Sequence, residues 1–143
     1  MPFEYHFFPQ HHLFYRQVVG DNLEAVRQQQ AEDIEFLSQV EMPVHMVIDA
    51  RFAGWRPTTL NEMKGSLAPI ESSKLLWMVV VVSSDVVQKF LISANLQIAN
   101  KSGRSKLSDS LEEAFAFLEE RDSTLTNLRD LIPELEKQHA SSS

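Results

Sequence analysis

"LLWMVVVV", residues 75–82, is the stretch on which the fold turns. The run is too short for a long buried helix, and four consecutive valines favour extended backbone, so it reads as a strand covered on both faces in the middle of a sheet. A second run, "VHMVID" at 44–49, stands behind Pro43 with the same β-branched bias and reads as another central strand. Helical periodicity fills the interval between them, long enough for a crossover, so the two strands are expected to lie parallel.

Toward the N-terminus, Phe3 to Phe8 is aromatic-rich. Leu13 to Val19 alternates Leu13, Tyr15, Gln17 and Val19 against Phe14, Arg16 and Val18. With turn-like residues Pro9 to His12 between them, these form an antiparallel hairpin. Asp21, with Glu24 three residues later, opens a helix expected to reach about Val40, its apolar stripe Leu23, Val26, Ile34 and Leu37 broken by Gln30.

Thr59 with Glu62 caps a helix whose face is Leu60, Met63 and Leu67, weakened by Gly65 and ended by Pro69. Ser83, Ser84 and Asp85 offer an N-cap to a further helix with Val87, Phe90, Leu91, Ala94 and Ile98 on its buried side. Arg104 to Leu107 reads as a short edge strand, and Ser110 with Glu113 caps a last helix with a face of Leu111, Ala114, Phe115 and Leu118.

The order is ββαβαβαβα. It predicts an α/β fold: a mixed sheet with a parallel centre and an N-terminal antiparallel hairpin, helices packed on it, and a C-terminal helical extension. The expected division is a domain over 1–120 and an extension over 121–143, ending in a loose Ser141–Ser143. Within that extension Leu125, Leu128, Ile132 and Leu135 keep the apolar spacing. They either fold back on the domain or pair with a second copy, and a homodimer through this surface is expected.

Thirteen Lys and Arg against twenty Asp and Glu give a net charge of -7. With no basic cluster, a nucleic-acid surface is not expected, because phosphate binding requires one. The absence of cysteine removes disulfides and thiolate sites, and suits a reducing compartment. No secretory signal pattern stands at the N-terminus, and no apolar run approaches the ~20 residues that span a bilayer, so a soluble, cytoplasmic chain is expected. His6, His11, His12, His45 and His139 lack metal-ligand spacing. No cofactor and no metal are expected.

"PVHMVIDAR", the valine-rich strand after Trp77, and the closing "SLEEAFAFL", in this order, resemble the SpoIIAA-like group of the STAS superfamily, named for sulfate transporters and anti-sigma-factor antagonists. The resemblance covers about Tyr5 to Glu120. It implies a small non-enzymatic domain that docks other proteins or binds a small ligand. It also implies a phosphorylatable position at the start of the helix after the strand matching Val44 to Asp49, where Thr58 or Thr59 falls. The family's Asp-Ser-Ser-Gly type of signature is replaced here by "WRPTTL".

Ligands of open α/β sheets favour the crevice beyond the strands' carboxyl ends. Asp49, Arg51, Trp55, Arg56, Thr58, Thr59, Ser84 and Asp85 are expected to line one surface there, beside two helix N-termini. Taken singly, Thr59, Ser84 and Asp85 are helix caps, Asp49 pairs with Arg51 or caps local backbone, and Trp55 is a loop aromatic folded onto the core. Trp55 with Arg51 and Arg56 reads as a docking anchor for a protein partner, since Trp and Arg dominate interface energetics. A second reading places a small apolar or lipid-like ligand beside Met63, Leu67, Phe90 and Leu91. A third, a metal-assisted hydrolase, requires Asp49 and Asp85 within reach of one water or magnesium ion. No Gly-x-Ser-x-Gly elbow, phosphate loop or dinucleotide fingerprint is present, so an enzyme is not expected.

Overall fold

A computed structural model describes residues 5–19, 22–51, 73–82 and 104–136 of the chain. In these, strands β1 (Tyr5–Phe8) and β2 (Leu13–Gln17) precede helix α1 (Leu23–Gln39). Strands β3 (Val44–Asp49), β4 (Leu75–Val81) and β5 (Ser105–Ser108) follow, then helix α2 (Leu111–Arg121) and a 3-10 turn at Leu128–Leu131. Residues 132–136 are helical.

The strands form one sheet in the order β1-β2-β3-β4-β5. β1 and β2 are antiparallel, and every other neighbouring pair is parallel. This is the mixed α/β architecture read from the sequence. The two apolar strands lie side by side and point the same way, with Val47 opposite Val79 and Asp49 opposite Val81. The expected edge strand forms one residue later than the sequence suggested, at Ser105–Ser108.

Alternation along each central strand feeds two separate cores, which is why the strand sequences are apolar throughout. On one side of the sheet Leu13, Tyr15, Val47, Val79 and Val81 pack under Leu111, Ala114, Phe115 and Leu118 of α2. On the other, Phe14, Met46, Met78 and Val80 meet Leu37, with Phe36 of α1 against them. Between Val44 and Met46 the register shifts: β3 advances two residues while β4 advances three, from Leu75 to Met78. Leu75 therefore shares the α1 side with Met78.

Two details of α1 differ from the sequence reading. Its N-cap is Asn22, in extended conformation, whose Oδ1 accepts the Ala25 N–H at 2.9 Å. Glu24 then sits in the first turn, where a negative charge suits the helix dipole. The buried stripe also differs in part: Val26 and Leu37 are buried as expected, but Gln29 and Asp33 complete it while Ile34 is 44% exposed. The polar members of that stripe have partners. Gln29 accepts the Val19 N–H and donates to the Val19 carbonyl, continuing β2's hydrogen bonding with a side chain. The cap of α2 is as expected, with Ser110 Oγ accepting the Glu113 N–H at 3.1 Å.

Leu125, Leu128 and Leu135 fold back into the same core as α2, the first of the two alternatives open to them. Asp122 starts this return. It accepts from the Thr124 hydroxyl and backbone N–H, and its Oδ2 lies 2.8 Å from His45 Nε2 on β3. These bonds, His45's first, hold the Asp122 carboxyl down at about 2, while burial lowers the His45 imidazole from its ordinary value. If the leucines are core, Leu128→Ala should cost about 2–5 kcal/mol in urea unfolding followed by circular dichroism. A loss below about 0.5 kcal/mol, the level of a surface change, would place the segment outside the core.

Candidate functional site

Parallel pairing sets Gln17, Asp49, Val81 and Ser108 in one row across the carboxyl ends of β2 to β5. Asp49, the acid at the end of the Val44 strand, is fully buried there. A carboxylate at such depth requires charged and hydrogen-bonded partners. Arg51, two residues on, supplies most of them: its Nε donates to Oδ1 at 2.9 Å and its Nη2 to Oδ2 at 2.8 Å. The Arg51 backbone N–H adds a third bond to Oδ1 at 3.2 Å. Tyr15, on the neighbouring strand and the same sheet face, donates its hydroxyl to Oδ2 at 2.7 Å.

The main chain is fixed with equal care. The Val18 N–H donates to the Asp49 carbonyl, and the Ala50 N–H donates to the Val81 carbonyl, so both flanking strands hold the chain as it leaves the sheet. The Arg51 side chain is 17% exposed, so the pair runs from the core to the surface. There Glu136, on the returning C-terminal segment, lies 3.4 Å from Arg51 Nη2. The corner after β3 and the C-terminal segment thus meet on one guanidinium.

Burial and then the Asp49 charge push the Tyr15 phenol above its ordinary value. The hydrogen bonds to Asp49 raise the Arg51 guanidinium above its ordinary value. Beside them Gln17 is buried, and its Oε1 has no hydrogen-bond partner among the described residues.

Of the residues expected to line this edge, Asp49 and Arg51 are described and paired with each other. Trp55, Arg56, Thr58, Thr59, Ser84 and Asp85 lie outside the described residues, as do Met63, Leu67, Phe90 and Leu91. Asp49 offers no open surface, so its part in the edge is to anchor the chain as it leaves β3. Among the described residues no group of three or more His, Asp or Glu side chains is placed to hold a metal ion. None of their helices is long and apolar enough to cross a membrane.

Sequence reasoning missed a second buried ion pair, on the opposite side of the sheet. Arg16 of β2, 1% exposed, donates from Nε to Asp33 Oδ1 at 2.8 Å, with Nη2 at 2.7 Å from the same oxygen. Burial outweighs this pairing and pushes the Asp33 carboxyl up to about 6. A signal was available: Arg16 alternates in phase with Phe14, so its guanidinium had to enter the core and needed an acid from the covering helix.

Compared with family models, with curated proteins and with solved structures, the chain matches none. The raised Tyr15 phenol has a measurable consequence. Because the folded state keeps it protonated, its contribution is full below about pH 10, the ordinary phenol value, and is lost as pH rises further. In a Tyr5→Phe background, ultraviolet titration should show Tyr15 ionising only together with unfolding, above about pH 10. Ionisation of Tyr15 near pH 10 in a chain that stays folded by circular dichroism would contradict the buried Asp49 contact.

Proposed function

We propose that this chain is a non-catalytic regulatory domain of the STAS-like type that docks a protein partner at the corner following Asp49. The observation that carries this reading is the anchoring of that corner. A buried ion pair and main-chain bonds to both flanking strands hold the chain as far as Arg51. A docking segment that starts from a fixed point costs less entropy to bind. "FAGWRPTTL" comes directly after it, with Trp55 and Arg56 as side chains of the kind that dominate interface energies.

The mixed sheet with an antiparallel hairpin at one side agrees with the architecture that the STAS-like resemblance implies. In this reading Thr58 and Thr59 belong to the docking surface, and phosphorylation of either would change its charge. The hydrolase alternative is disfavoured by Asp49 itself, whose two carboxylate oxygens are occupied by Arg51 and Tyr15, leaving it poorly placed to take a proton from water. The stripe that suggested a homodimer is buried within the chain's own core at Leu125, Leu128 and Leu135, so a partner of another kind is the better fit to the corner.

A photo-reactive phenylalanine analogue introduced in turn at Trp55, Thr58 and the exposed Glu112 of α2 tests this in cells. Adducts of one and the same mass from positions 55 and 58, lost on Arg56→Ala and absent from position 112, are expected. Adducts equally abundant at all three positions, or none at 55 and 58, would remove the corner as the docking surface. Circular dichroism of each variant confirms that it is folded.

A further inference from the structure

The sheet face under α1 carries a feature that the corner does not use. Between β1, β2 and α1 lies a pocket of about 220 Å³, walled by the rings of Tyr5, Phe14 and Phe36, with Arg16 at its base and Glu32 and Glu35 among its lining. Strand register makes it: Tyr5 stands opposite Arg16 across the hairpin, and Phe14 precedes Arg16 by two residues on the same side. The rings form a continuous wall, with Tyr5 stacked on Phe14 at 5.7 Å between centroids and Phe14 against Phe36 at 4.5 Å.

The electrostatics of this pocket are lopsided. Among the described residues Arg16 is its only lining cation, and that guanidinium is matched by Asp33 and lies 5.1 Å from the Tyr5 centroid. Glu32, 3.7 Å from Arg16 and 43% exposed, is then surplus. Glu35 is exposed, and its carboxylate accepts from Gln39, a neutral side chain that cancels no charge. An anion entering here would meet the exposed carboxylates of Glu32 and Glu35 before the buried Arg16. A cation on an aliphatic stem would instead lay its stem and charge along aromatic faces and pair its head with Glu32 or Glu35.

We propose that this pocket binds a lysine or arginine side chain of a basic peptide segment in a partner. The site lies on the face opposite Asp49 and does not depend on the corner. A chain of net charge -7 would attract such a segment at long range as well.

The test uses the full chain, 15N-labelled, titrated separately with N-acetyl-arginine amide, N-acetyl-lysine amide and inorganic phosphate while backbone amides are followed by NMR. Either cationic probe should shift the amides of Tyr5, Phe14, Glu32 and Phe36, leaving those of Val47 and Val79 in place. The double variant Glu32→Gln/Glu35→Gln, altered only on the exposed side of α1, should weaken that binding about ten-fold. Absence of shifts up to about 50 mM probe, shifts of the same amides by phosphate, or unchanged affinity in the double variant would each overturn the proposal.

Discussion

A charge cannot be left alone in a protein interior, and the end of β3 is built around that constraint. Asp49 is carried into the core by the regularity of the strand before it, and once there it dictates its surroundings: Arg51 must turn back, Tyr15 must aim its hydroxyl along the sheet, and the chain between must bend sharply. The effective cost of desolvating an ion in a protein is several kcal/mol, so the arrangement is stable only with every partner present. Replacing a whole buried set by apolar side chains of similar volume is often neutral for stability, whereas removing one member leaves an uncompensated charge.

The same logic operates on the other face with a different outcome. Arg16 and Asp33 pair between β2 and α1 through Nε and Nη2 of the guanidinium, and they take the place of apolar packing on a helix that turns Ile34 outward. Each face of the sheet therefore holds a buried ion pair near the carboxyl end of the parallel strands. Asp49 fixes the chain as far as Arg51, and Arg16 stands at the base of a pocket.

The legible part of the fold came from strong, local signals. Four valines in a row, a Pro-led apolar run and an intervening helical stretch fix two parallel neighbours with little ambiguity, and Ser110 with Glu113 announces α2 by a single hydrogen-bonding rule. In α1, Val26 and Leu37 were legible as buried, but Ile34 was placed with them because Gln29 and Asp33 count as polar in any periodicity count, while their burial depends on Val19 and Arg16, residues far along the chain. Asp49 was legible as the acid at a strand's end, and its pairing with Arg51 was one of two readings available. The contribution of Tyr15 was not, since nothing local says that β2 lies beside β3. Trp55, Arg56 and the threonines after them belong to the sequence reading alone, being outside the described residues.

Asp49 and Arg51 act as one unit, and a double-mutant cycle measures that unit directly. Asp49→Asn, Arg51→Met and the double variant, each unfolded in urea at neutral pH, give a coupling free energy free of the effects the two substitutions have separately. A coupling of about 2 kcal/mol or more is expected, with Arg51→Met alone the more damaging change because it leaves a buried carboxylate unpaired. Additivity within about 0.5 kcal/mol would mean that the two side chains do not depend on each other, and the corner would have no anchor of the kind described.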